Sequence, residues 1–392
     1  ASGRASPSWG SVLSMTVILI AVLAIPLEAA GELGLSPGET ASWIVSIYGL
    51  PTALAVALIL RFRQPLLLTG NVFVLIFITR LGAQVNWDEL IGASIVAGGV
   101  VLLLEPLGLT KKLIAWLPAP IVFGLLAGAV LPFFIRMFTE LGREPILVGG
   151  TLLIYLLARV YVEPRIPAIL PALVGGLLIA AISGDTTGIS LADVFTAPVF
   201  TRPAFSLAAI LTVTPVMVVL IEFQANAPSI VFLKENDYEA PEATITSISG
   251  LGTMFGSLLG PTGVSLSLPA TALIAGPDAG AHDDRHLTAL AAAGVGIAIA
   301  ALASIAVQLA SAIPAALLAT GVALAVIGIL ENALQRVTSG PLTWGPLFAF
   351  SIALSDLTLF GLGPFFWAIA GGLIVSFILE RDQWKAMHDH TL

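Results

Sequence analysis

Glu222 stands in the run Thr212 to Pro228, TVTPVMVVLIEFQANAP, with no Lys or Arg within ten residues on either side. A carboxyl in so apolar a stretch can carry a proton and can accept a hydrogen bond from a bound solute. Placing an acid at bilayer depth costs on the order of 3 kcal/mol, so such groups face an internal cavity and mark transport pathways. Gln224 and Asn226 follow on a stretch between Pro215 and Pro228 that should unwind, because Pro removes a backbone donor from a helix. The plainer alternative for Glu222 is a structural hydrogen bond to a neighbouring helix.

Two further segments carry polar groups where helix should start. Gln64-Pro-Leu-Leu-Leu-Thr-Gly-Asn71 precedes one apolar run, and Leu259-Gly-Pro-Thr-Gly-Val-Ser265 precedes another. Pro followed by Thr-Gly suggests extended backbone turning into a half-helix near mid-membrane, which is tolerated only inside protein or beside a water-filled cavity. Amides at a helix start carry partial positive charge and attract an anion or a carbonyl-rich ligand. Thr69, Gly70, Asn71, Thr262, Gly263, Val264 and Ser265 are therefore candidate substrate contacts. Phe73 and Phe223 flank them and could stack on a planar solute. Ordinary short spans with Gly at a packing contact are the alternative.

Glu28, after Pro26, is a second candidate for proton coupling. Glu105, beside Pro106, reads as interfacial, and Asp356 as a helix-packing acid. His282, His286, His388 and His390 read as loop and tail residues, not metal ligands. Cysteine is absent, and no HExxH, GxSxG, Walker or dinucleotide fingerprint occurs. These features predict no enzyme, no metal and no cofactor beyond a coupling proton.

The elements that must position these residues are transmembrane helices. Of 392 residues, 57% are hydrophobic and 10% charged, and the mean hydropathy is +1.02. Soluble domains carry about a quarter charged residues, so a water-soluble globule is excluded. Lipid must be the chain's surroundings, and a net charge of −8 gives no basic face for nucleic acid. Fourteen apolar segments are read, at 12–31, 40–60, 65–81, 88–106, 117–138, 146–162, 166–182, 204–232, 241–258, 261–276, 286–309, 312–331, 342–359 and 361–380. Threading them with the N-terminus inside puts twelve of the 16 Lys and Arg on the cytoplasmic side, Arg336 among them. Only Arg80, Arg136, Arg143 and Arg202 fall outside. The positive-inside rule then makes both termini cytoplasmic. Trp43, Trp87, Trp116 and Trp344 suit membrane interfaces.

The chain also repeats itself. Thr69-Gly70 recurs as Thr262-Gly263, and Gly128 in PIVFGLLAG matches Gly321 in PAALLATG, both at an offset of 193. Ala172 to Ile179 matches Ala368 to Val375 at 196, and Glu28 precedes Glu222 by 194. Seven spans per half is odd, so two such halves must lie upside down to each other, the inverted-repeat architecture of secondary transporters.

Thr40-Ala-Ser-Trp43, Arg63-Gln-Pro65, Pro118-Ala-Pro120, Leu126-Ala-Gly-Ala-Val-Leu-Pro132, Gln224-Ala-Asn-Ala-Pro228 and Ala275-Gly-Pro-Asp-Ala279 make the chain resemble the benzoate/proton symporter family over nearly its whole length. That family is similar to the uracil-permease type of fold. The resemblance implies an all-α protein of seven plus seven inverted spans. Residues 12–112 and 204–310 would form a core, and 113–183 and 311–380 a gate. Residues 184–203 would be an extracytoplasmic linker and 381–392 a cytoplasmic tail. It implies proton-coupled symport of a benzoate-like carboxylate across the inner membrane, the solute lying between the third and tenth half-helices beside the eighth span. Glu222 would carry the proton and touch the solute. An apolar gate could pair two copies. The chain departs from the family in carrying acids at Glu28 and Glu222, and an acid in the eighth span is typical of nucleobase permeases. A nucleobase symporter and an uncoupled anion conductor are the alternative readings.

Overall fold

The computed structural model describes residues 6–81, 84–110, 112, 117–163, 166–184, 197–355 and 357–389. Asp356, Arg4, Lys111, Arg165, Trp116, His390 and much of the 184–203 linker lie outside the described residues.

Apolar composition dictates helix, because a chain in lipid must satisfy its backbone internally. Helix occupies every one of the apolar segments. Among the described residues, six helical rods are long and apolar enough to cross a membrane: Trp9–Glu32, Pro37–Phe62, Trp87–Leu104, Ala119–Arg143, Leu207–Glu235 and Ala315–Ser339. His282–Ala301 and Ala303–Ala312 make a seventh if counted as one span, bent by 64°. Shorter apolar helices lie in five of the remaining segments, and Glu242–Gly256 and Leu268–Ala275 lie in the other two. The 286–309 run expected as one helix is thus broken at Leu302. The 312–331 run continues to Ser339, which carries Asn332 and Arg336 onto a helix where a loop was expected.

Two rods contain a π turn, Val45–Gly49 and Glu222–Asn226. In each the closing N–H reaches back five residues, Leu50 to Val45 O and Ala227 to Glu222 O. A Pro follows directly in both, Pro51 and Pro228. With no N–H of its own, Pro leaves a carbonyl four residues back without its helical donor, and the rod absorbs this by widening. Pro228 therefore widens the helix instead of unwinding it.

The helices sort by their packing. Ala119–Arg143 packs on Ala315–Ser339 and Trp344–Leu354, and Pro364–Leu379 and Pro145–Tyr161 join that group. Trp87–Leu104 packs on Glu242–Gly256 and Leu207–Ile221. The Trp87–Leu104 and Glu242–Gly256 backbones touch at Gly98 and Gly250. A Cβ on Gly98 would lie 2.7 Å from Gly250 O, and one on Gly250 would lie 2.5 Å from Leu102 N. Small residues permit this approach, as membrane helix pairs require.

Candidate functional site

The two Thr-Gly segments meet. Thr69–Gly70 (β1) and Val264–Ser265 (β2) pair antiparallel, Thr69 opposite Ser265 and Gly70 opposite Val264. Asn71 N–H donates to Gly263 O at 2.6 Å. Each strand leads into a short helix, Val72–Leu81 and Leu268–Ala275. Gly70 is required here: a Cβ would sit 2.5 Å from the Ile47 side chain and 2.8 Å from its carbonyl, in the first π turn.

Asn71 ties this crossing together. Its Nδ2 donates to Ser265 Oγ and to Leu220 O, both at 3.1 Å. Its Oδ1 accepts from Phe73 N–H at 2.9 Å and Val74 N–H at 3.1 Å, as an N-cap does. These amides, expected to be open to a ligand, are therefore taken by the chain itself. At the second helix start Ser267 makes no side-chain cap, and Leu268 and Pro269 border a cavity.

Trp43 holds the second segment from behind. It is fully buried, donates Nε1–H to Pro261 O at 2.7 Å and packs edge-on to Trp87 at 5.0 Å. The interfacial position expected for Trp43 is thereby corrected: its indole finds a carbonyl inside the protein, where an apolar ring with one donor is fully satisfied.

Two cavities flank the second π turn. The larger, about 420 Å³, is lined by Phe73, Phe123, Phe223, Gln224, Asn332 and Arg336 together with apolar side chains. The Arg336 guanidinium lies 4.8 Å from the Phe123 ring centroid, within cation–π range. Gln224 is 6% exposed, and its Nε2 has no hydrogen-bond partner. Buried polar groups are normally paired, so an open donor beside a cavity is a place for a ligand acceptor.

The smaller cavity, about 190 Å³, reaches Glu222. Glu222 is 1% exposed. Its Oε1 accepts from Asn226 Nδ2 at 2.8 Å and its Oε2 from the Thr246 hydroxyl at 3.2 Å. Asn226 also donates to Ser249 Oγ at 3.2 Å and accepts from Leu266 N–H at 3.0 Å, linking the acid to the residue after β2. Ala227 and Val231 line both cavities and form the wall between them.

Of the residues read from sequence, Phe73, Phe223 and Gln224 line the larger cavity and Glu222 lines the smaller. Thr69, Gly70, Asn71, Thr262, Gly263, Val264 and Ser265 form the buried crossing behind them and line neither cavity. Asn226 braces Glu222. Glu28 is elsewhere: it is buried and pairs with Arg136 at 2.7 Å, and Arg136 also contacts Glu32. Glu105 lines the smaller cavity with Glu222.

Phe123, Asn332 and Arg336 were not recognised from sequence. The signal was present: Gly328, Asn332 and Arg336 recur every four residues and so share one helix face. His282 stacks on Tyr238 at 4.3 Å, and no group of three or more metal-binding side chains occurs among the described residues.

Residues 5–378 match the family model of the benzoate membrane transport protein. The chain is 27% identical over 370 residues to the inner membrane protein YdcO of Escherichia coli, covering 92% of this chain and 93% of that one. It is 25% identical over 380 residues to the benzoate membrane transport protein of Acinetobacter baylyi, covering 96% of each. Its fold is similar to the transmembrane domain of a cyanobacterial bicarbonate transporter, BicA, with a TM-score of 0.57 at 16% identity, over 94% of this chain and 96% of that one. It is also similar to the murine anion transporter Slc26a9, with a TM-score of 0.62 at 12% identity, over 95% of this chain and 68% of that one. The chain is an all-helical membrane protein and a transporter, not an enzyme, and it belongs to the benzoate membrane transport protein family.

Proposed function

We propose that the protein is a proton-coupled symporter of a small aromatic carboxylate of the benzoate type. The observation that carries this is the larger cavity, where three phenylalanines, Phe73, Phe123 and Phe223, converge with Arg336 and the open Nε2 of Gln224. The volume of about 420 Å³ falls within the usual range for small-molecule sites. An aromatic ring would lie against the phenylalanines. The carboxylate would meet the guanidinium and the amide donor, which give charge-assisted hydrogen bonds.

Glu222 is the proton carrier in this reading, across the Ala227–Val231 wall from the solute and not in contact with it. An ionised Glu222 resists moving through an apolar barrier, and a proton removes that resistance. The likeness between the two halves supports seven plus seven inverted spans, with 12–112 and 204–310 as core and 113–183 and 311–380 as gate. The distribution of Lys and Arg supports an inner-membrane protein with both termini cytoplasmic. The gate is the surface through which two copies would pair.

The test is uptake of labelled benzoate into proteoliposomes under an imposed pH gradient. Uptake should saturate, follow the gradient, collapse with a protonophore and be competed by substituted benzoates. Saturating uptake indifferent to the gradient overturns the coupling. Competition by uracil but not by benzoate overturns the substrate class.

A further inference from the structure

The smaller cavity joins charged side chains near the surface to the buried Glu222. Its polar lining is Glu105, Thr110, Lys234, Glu242, Thr246 and Glu222. Lys234 is exposed and pairs with Glu242. Glu242 and Glu105 are half-buried, and Thr246 and Glu222 are buried. The polar groups are thus graded by depth. Thr110 donates to Glu105 Oε2 at 3.0 Å, and Thr246 donates to Glu222 Oε2 at 3.2 Å. A volume of about 190 Å³ holds several waters, since one water occupies about 30 Å³ in the liquid.

We propose that this cavity is the water-filled route by which protons reach Glu222, separate from the solute's cavity, with Glu105 as the relay carboxylate and the Lys234–Glu242 pair beside its opening. This rests on the symport reading above. The titratable groups that line the cavity with Glu222 come from three elements. They are Glu105 at the end of Trp87–Leu104, Lys234 on Ala227–Glu235, and Glu242 at the start of Glu242–Gly256. A proton from solvent binds a Glu105 oxygen and passes through water to a Glu222 oxygen, and Glu105 returns to its ionised form. Ala227 and Val231 line both cavities, whereas Glu222 and Glu105 line only the smaller one.

The test compares two fluxes of labelled benzoate in proteoliposomes of the full chain: uptake driven by a pH gradient, and benzoate–benzoate exchange at equal pH. Glu105→Gln keeps size and polarity but cannot relay a proton. Gradient-driven uptake should fall about a hundredfold, the low end of what a positioned proton-transfer group contributes, while exchange persists and the pH profile of uptake shifts. Ile230→Phe, which narrows the smaller cavity from a position that does not line the larger one, should give the same split. The proposal is overturned if both variants keep the wild-type ratio of the two fluxes, or lose both in proportion. Failure of the symport reading itself is distinguishable, because wild-type uptake would then ignore the gradient.

Discussion

Asn226 donates to Glu222 across a single π turn, Nδ2 to Oε1 at 2.8 Å. The same amide accepts Leu266 N–H just beyond β2. One side chain therefore connects the buried acid to the crossing of the two short strands, and a change in either is felt by the other.

Removing the charge at Glu222 tests its role directly. Glu222→Gln retains an oxygen for Asn226 and an amide able to donate to the Thr246 hydroxyl, so the fold should persist. Gradient-driven accumulation of benzoate should be lost, while benzoate exchange continues. Accumulation equal to wild type, with unchanged pH dependence, excludes Glu222 as the carrier.

Asn226→Leu strips partners from Leu266 N–H, Ser249 and one Glu222 oxygen at once. A buried polar group left unpaired costs about 1–3 kcal/mol. A fall of several degrees in the melting temperature in detergent is expected, together with loss of uptake. An unchanged melting temperature means that the network is not holding the crossing.

Arg336 borders the larger cavity from the helix that ends at Ser339. Arg336→Met keeps the apolar stem and removes the guanidinium. Hydrogen bonds to charged groups are worth about 1.5–3 kcal/mol, so the half-saturation concentration for benzoate should rise roughly tenfold or more. Binding of a neutral analogue such as benzamide should change far less. Equal losses for both would place Arg336 outside carboxylate recognition.

Gly250→Val introduces a side chain where a Cβ alone already meets Leu102 N at 2.5 Å. Overpacking a tight contact costs about 1–3 kcal/mol. The Trp87–Leu104 and Glu242–Gly256 helices must separate, and thermal stability should fall along with transport. Gly294, with open space around its Cβ position, should accept Ala without effect.

The apolar composition, the absence of cysteine and of nucleophile motifs, and the two Thr-Gly interruptions are written in the chain. They are local properties: hydropathy requires helix in lipid, and Pro and Gly interrupt it wherever they stand. Glu222 was legible for the same reason, since no cation lies near it in sequence to neutralise it. The register of β1 on β2, and the tie from Asn71 to Ser265, were decided by residues 194 to 196 apart meeting in space. Trp43 was decided likewise, because only the packed fold supplies a buried carbonyl for its indole. Arg336 is the plainest case. Its charge counts toward orientation in the sequence, but its place beside Phe123 depends on a helix running to Ser339 and on two helices, some two hundred residues apart in the chain, packing side by side. Which acids and aromatics share a cavity is a matter of three-dimensional packing, and periodicity along one strand of chain does not contain it.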